Sequence, residues 1–176
     1  MDTIVLDNIE SLRQGITLLE RITPSLYAQS NNHCFNSGIG SHIRHNLDHY
    51  FSFLKSYRQG RVDYEDRERD VRIESDPAHA ILCIKKVIER LKHISLVDLD
   101  APVEVKADSA SPDKEFPIWS DSTVRRELQF ILHHAVHHYA LISIICKLAG
   151  FQPDTEFGIA PSTLRYQKVQ LSTFKK

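Results

Sequence analysis

The sequence predicts an all-α protein: a four-helix bundle with a small irregular hairpin between its third and fourth helices. Three observations lead there. Four separated stretches carry apolar residues at helical spacing. Each is bounded by a capping residue, a proline or a glycine. The chain has 176 residues, enough for one hydrophobic core, and it carries no internal repeat, so residues 1–176 are expected to form a single domain. An amphipathic helix must bury its apolar stripe, and four such helices do so against one another.

The first predicted helix runs from about Asp7 to Ile22, with Ile9, Leu12, Ile16 and Leu19 at helical spacing and Pro24 beyond its end. The second starts at Asn36-Ser37-Gly38. It carries the stripe Ile39, Ile43, Leu47, Tyr50, Leu54 and Tyr57, and Gly60 is its stop signal. A charged connector, Asp63-Tyr64-Glu65-Asp66-Arg67-Glu68-Arg69-Asp70, follows. Asp76-Pro77 then reads as N-cap and first residue of the third helix, which continues through Ile84, Val87 and Leu91. Val103-Glu104-Val105-Lys106 and Phe116-Pro117-Ile118-Trp119 are short strand-like runs, the second weakened by its proline. Asp121 or Ser122 can cap the fourth helix, which should stop at Gly150. The tail holds one short helical turn around Ser162–Arg165.

Charge narrows the function classes. With 22 basic and 23 acidic side chains the net charge is −1. Nothing global favours nucleic acid or an anionic membrane, and neither is an expected partner. No apolar run approaches the roughly 20 residues of a membrane span, and Met1–Val5 lacks a signal peptide's pattern. Cys34, Cys83 and Cys146 are odd in number and widely spaced, which speaks against a disulfide framework and for reduced thiols in a cytoplasm. Nucleophile triads, glycine-rich phosphate loops and dinucleotide fingerprints are missing from the sequence.

The chemistry-bearing signal is histidine. Four of the ten lie within six residues, in His133-His134-Ala135-Val136-His137-His138 on the fourth predicted helix. On an ideal wheel with Ile131 at zero, His138 falls at about −20° and His134 at about −60°, at the edge of the apolar stripe. His133 and His137 fall at about 200° and 240°, facing away as bystanders. Imidazoles four residues apart on one face can share a transition-metal ion, although two ligands do not make a site. The second helix supplies His42, His45 and His49. Periodicity alone nominates His49 or His42 as the inward residue and leaves His45 off the stripe. Surface histidines on one helix, and hydrogen-bonded core histidines on the other, are the competing reading.

In Ile39-Gly40-Ser41-His42-Ile43-Arg44-His45-Asn46-Leu47-Asp48 and in His134-x-x-x-His138 with Ile142 four further on, the sequence resembles the DinB-like (YfiT-like) metal-binding four-helix-bundle family. The charged connector and the tail Gly158-Ile159-Ala160-Pro161-Ser162-Thr163-Leu164-Arg165-Tyr166 resemble a bacterial subgroup of it. The resemblance implies His45, His134 and His138 as metal ligands, with Asp48 at a recurring acidic position and His49 as an alternative or fourth ligand. It also implies a metal-dependent hydrolase or thiol transferase acting on a small molecule. The alternative is a non-catalytic metal-binding or stress-responsive module that dimerises.

Three neutral imidazoles would leave a divalent transition metal with open positions for water or substrate. Imidazole suits several metals, and zinc or nickel is the expected occupant. Glu127, two turns before His134 on nearly the same face, is the expected catalytic helper, as a base or as an orienting group. The competing reading is an exposed acid favoured by the helix dipole. Arg67 and Arg69 could meet an anion at the mouth of the site, or pair with the acids around them. Cys146 reads as a small buried hydrophobe.

Overall fold

The computed structural model describes residues 1–31, 37–106 and 118–173. The first helix, α1 (Thr3–Leu19), starts four residues before the predicted Asp7, because the Asp2 carboxylate accepts the Ile4 N–H at 2.9 Å and caps it. Pro24 does more than close that helix. It opens a short second one, α2 (Pro24–Ala28), capped by Thr23. A two-residue antiparallel pair, β1 (Ser30–Asn31) and β2 (Ser37–Gly38), leads into α3 (Ile39–Ser56), the helix of His42, His45 and His49. A 3₁₀ turn, Tyr57–Gln59, ends α3 at Gly60, whose φ of +77° is a left-handed conformation suited to glycine.

Beyond Gly60 come β3 (Arg61–Val62) and the one-turn α4 (Arg72–Ser75). Asp76 then accepts the Ala78 and His79 N–H groups at 3.0 and 3.1 Å, capping α5 (Pro77–Lys92) as predicted. The short α6 (Leu96–Leu99), β4 (Pro102–Lys106) and β5 (Trp119–Thr123) precede α7 (Val124–Leu148). The tail carries α8 (Pro161–Thr173), three turns where one was expected.

The molecule is mostly helical, but all-α is corrected: a three-stranded sheet is present, in the order β3-β4-β5. β4 and β5 pair antiparallel with Val103 opposite Ser122, and β3 joins β4 in parallel. The second strand was expected at 116–119, of which 116–117 lie outside the described residues. The strand found begins at Trp119, and Asp121 and Ser122, expected to cap the last helix, lie inside it. The cap is Thr123, whose hydroxyl accepts the Arg126 N–H at 3.2 Å.

The four long helices form a ring of neighbours in which α7 touches α1 and α3, and α5 touches the same two. Their stripes meet in one core, where Ile9, Leu12, Ile43, Leu47, Ile84, Leu91, Leu128 and Ile142 are each almost wholly buried. Full burial of one such side chain is worth about 1.5–3 kcal/mol. One polar knot crosses this core. The Tyr50 hydroxyl donates to Asn8 Oδ1 at 2.9 Å, and Asn8 Nδ2 donates to the Leu128 carbonyl at 3.1 Å, tying α1, α3 and α7. Among the described helices α7 alone is long and apolar enough to cross a membrane, yet its stripe from Leu128 to Cys146 packs into this core.

The sheet positions the charged connector. Lys106 on β4 holds Asp63 at 3.2 Å and Glu65 at 2.6 Å, so residues 63–67 lie over the α3–α7 seam. Tyr64 and Arg67 are thereby brought to His49 and His45 of α3.

Candidate functional site

The seam between α3 and α7 gathers five imidazoles. His45 Nε2 lies 2.9 Å from His134 Nε2. The ring centroids of His45, His134 and His138 are 4.5 to 4.9 Å apart in every pairing. One nitrogen of each lies within 4.8 Å of the others, the spacing of a shared ion. His134 and His138 come together because they are one helical turn apart, and His45 faces them because α3 runs beside α7. His133 and His137 are both exposed, but the His137 ring lies beside the site, 5.2 Å from that of His138.

The other two histidines of α3 surround this trio. His49 is buried, and its Nδ1–H donates to the His45 carbonyl at 2.9 Å; a carbonyl can only accept, which fixes the proton on that nitrogen. Its ring lies 4.2 Å from that of His134. His42 is buried too, with Nδ1 at 2.9 Å from Nδ1 of His138 and no hydrogen-bond partner on Nε2. The wheel was right that His42 and His49 point inward and that His45 does not lie on the stripe. It had no means of showing that the stripe's edge is where α7 arrives.

Burial sets the electrostatics. His45, His134 and His138 are each pushed down to about 3, chiefly by loss of water and then by neighbouring imidazoles. The Arg67 guanidinium adds to this at His45 and His134. His42 is lowered as well, by burial and then by His137. The trio is therefore neutral at pH 7, the state in which imidazole binds a metal.

Tyr64 closes the site from the connector. It stacks on His49 at 5.3 Å between centroids and packs on Phe130 at the same distance. Its hydroxyl donates to Glu127 Oε2 at 2.7 Å, and the Ser122 hydroxyl donates to Oε1 at 2.6 Å. Glu127 is only 3% exposed, so the reading of it as a surface acid is corrected. Both its oxygens are engaged, and its link to the histidines runs through Tyr64. Asp48 is buried against Arg44 at 2.7 Å, and Arg44 also pairs with Glu74. Burial nevertheless raises the Asp48 carboxyl above its ordinary value. Arg67 reaches the site, with Nη1 at 3.4 Å from His45 Nδ1. Sequence reasoning missed the contacts of Tyr64 and His42, for which the only signals were the connector motif and an inward wheel position.

A tetrahedral zinc with Zn–N bonds of about 2.0–2.1 Å holds its nitrogens about 3.3 Å apart. The 2.9 Å between His45 and His134 needs only a small side-chain adjustment to meet that. The donor set thus fits a divalent cation of the zinc type.

Comparison with known proteins revises the family expectation. The FK506-binding protein 5 of Rhizopus delemar is 34% identical over 110 residues, which are 62% of this chain and 28% of that protein. The chain thus spans well under a third of the relative it matches. No family model matches the chain, and no solved structure does. The resemblance to the DinB-like family is corrected on this finding: the match lies with an FK506-binding protein, from Rhizopus rather than a bacterium. The hydrolase and thiol-transferase readings rested on that resemblance and fall with it, as does the dimerising stress-response module.

Proposed function

We propose that this chain is a four-helix-bundle module of a kind also carried within an FK506-binding protein, and that His45, His134 and His138 hold a divalent transition metal there, zinc or nickel. One observation carries the metal assignment: three neutral imidazole nitrogens converge within 4.8 Å of one another at a helix seam. Two supports stand beside it. His42 Nδ1 lies 2.9 Å from His138 Nδ1, a contact that would orient the His138 ring and leave its Nε2 for the metal. Protonation is suppressed on all three rings, which leaves their lone pairs available in mildly acidic solution. No reaction is assigned to the metal. The test is elemental analysis of protein purified without an affinity tag: about one equivalent of metal, falling to background in His138→Ala. Unchanged metal in that variant overturns the assignment.

The relative's name favours a second reading for the module as a whole, ligand binding of the FK506-binding kind rather than turnover of a small substrate. Titration of the metal-loaded and metal-stripped protein with FK506 tests it. Saturable binding supports it, and no heat or fluorescence change in either form removes it.

A further inference from the structure

A second cluster of metal-ligating side chains lies at the α5 end of the connector, apart from the histidine seam. His79 and Cys83 stand one turn apart on α5, and Asp70 reaches them from the connector just before α4. Asp70 Oδ2 is 2.7 Å from His79 Nε2, and Cys83 Sγ is 3.7 Å from the same nitrogen. All three donor atoms lie within 4.8 Å of one another.

These three residue types also occur as nucleophile, base and orienting acid, but the atoms used here exclude that. In such a relay the acid takes one imidazole nitrogen and the thiol the other. Here the carboxylate and the thiol both address Nε2. Burial also holds the Cys83 thiol above its ordinary pKa, with Lys86 pulling it down and Asp70 pushing it up, so no thiolate is prepared for attack. Convergence of oxygen, nitrogen and sulfur on one point is instead what a cation requires. Cys83 is buried and His79 half-buried, while Asp70 is exposed, so the cluster opens on one side only. On that side lies a cavity of about 460 Å³, bordered by Asp70, Cys83, Glu68 and Lys86, with room for a fourth ligand. Asp70 is held in place, since its Oδ1 accepts the Arg72 N–H at 2.9 Å, and Arg69 before it takes a φ of +49°.

We propose that Asp70, His79 and Cys83 form a second metal site, for a borderline-soft divalent cation of the zinc type with an exchangeable fourth position. On binding, the Cys83 S–H bond breaks, its proton leaves to solvent, and the sulfur's electron pair forms the bond to the metal. His79 gives up its Nε2 proton and takes one on Nδ1, so that it stays neutral and contributes Nε2. Asp70 contributes one oxygen, and thiolate and carboxylate together offset the ion's +2 charge with no oxidant or reductant.

Cobalt(II) chloride is the probe, because a thiolate ligand gives a near-ultraviolet charge-transfer band that an all-imidazole site lacks. The band should appear on titration of the full chain, persist in His134→Ala and in Cys34→Ser, and vanish in Cys83→Ser. His79→Ala should weaken the cobalt affinity read from that band by about tenfold or more. Asp70→Asn, on the exposed rim, keeps the thiol and the core; it should weaken binding without abolishing the band. Cobalt binding with no thiolate band, or a band that survives Cys83→Ser, overturns the proposal. So does an affinity unchanged in both His79→Ala and Asp70→Asn, with folding of each variant followed by circular dichroism.

Discussion

Nε2 of His45 and Nε2 of His134 lie 2.9 Å apart across the α3–α7 seam, and Arg67 decides which of them carries the proton. A guanidinium can only donate, so Nδ1 of His45, facing Arg67 at 3.4 Å, must accept. The single proton of neutral His45 then sits on Nε2 and is donated to His134. A metal ion bound at the seam, as proposed, would take that proton's place.

The first consequence concerns acid. His45, His134 and His138 titrate near 3 in the folded protein and near 6.5 in the unfolded chain. Between those values the unfolded chain binds more protons, so stability falls as pH drops from about 6.5 towards 3 and is insensitive to these groups above it. The ceiling is about 1.4 kcal/mol per pH unit for each proton, and solvent screening of half-buried rings keeps the slope below it. Chelated protein should lose melting temperature steadily from pH 7 to pH 4, and His134→Gln/His138→Gln should flatten that loss. A wild-type curve as flat as the variant's would contradict the cluster's electrostatics.

Glu127 yields a second expectation. Its carboxylate accepts from Tyr64 and Ser122 at once, and a glutamine amide offers only one accepting atom for the two hydroxyls. Glu127→Gln should therefore destabilise by about 1.5–3 kcal/mol, the worth of one hydrogen bond to a buried charged group. Tyr64→Phe removes the same bond from the other side, so the double variant should cost less than the sum of the two. Additive effects in chemical denaturation would show that the bond contributes nothing.

Much of this was legible where local chemistry decides the outcome. The Asp76-Pro77 cap, the Gly60 stop and the inward faces of His42 and His49 follow from side chains acting within a turn of their own position. The sheet was not legible in full. β3 is two residues long, and Ser120-Asp121-Ser122 in β5 has the composition of a helix cap. Glu127 was open to two readings because its partner Tyr64 is 63 residues away in sequence. The family resemblance leaned on histidines three and four residues apart. Helical periodicity brings such pairs together on any helix, so they carry little about ancestry.

Gly40 supplies a packing test. A Cβ there would collide with the Glu74 backbone, meeting its carbonyl carbon at 2.7 Å, because α3 and α4 approach with nothing between them. Backbone cannot swing aside as a side chain can. Gly40→Ala should therefore destabilise by about 1–3 kcal/mol despite alanine's better helix propensity. It should also loosen the connector that carries Arg67 and Asp70. Hydrogen exchange at residues 67–74 would report this, and a stabilised variant would refute the close approach.

Arg67 gives the last prediction. With a metal on Nε2, neutral His45 must carry its proton on Nδ1, where it would face a guanidinium that also can only donate. Arg67 thus opposes the metal twice, by its charge and by the tautomer it imposes, and its buried Nε has no hydrogen-bond partner to hold it there. A unit charge a few ångströms from a divalent ion costs at least about 1 kcal/mol even at the dielectric constant of water, and burial raises that cost. Arg67→Ala should then bind zinc at least about fivefold tighter in a competition assay with a fluorescent chelator. Arg67→Lys, which keeps the charge and loses the fork that reaches Nδ1, should fall between the two. Weaker zinc binding in Arg67→Ala would mean that the arginine supports the ion's surroundings, and the proton order drawn from its contact with His45 would have to be reversed.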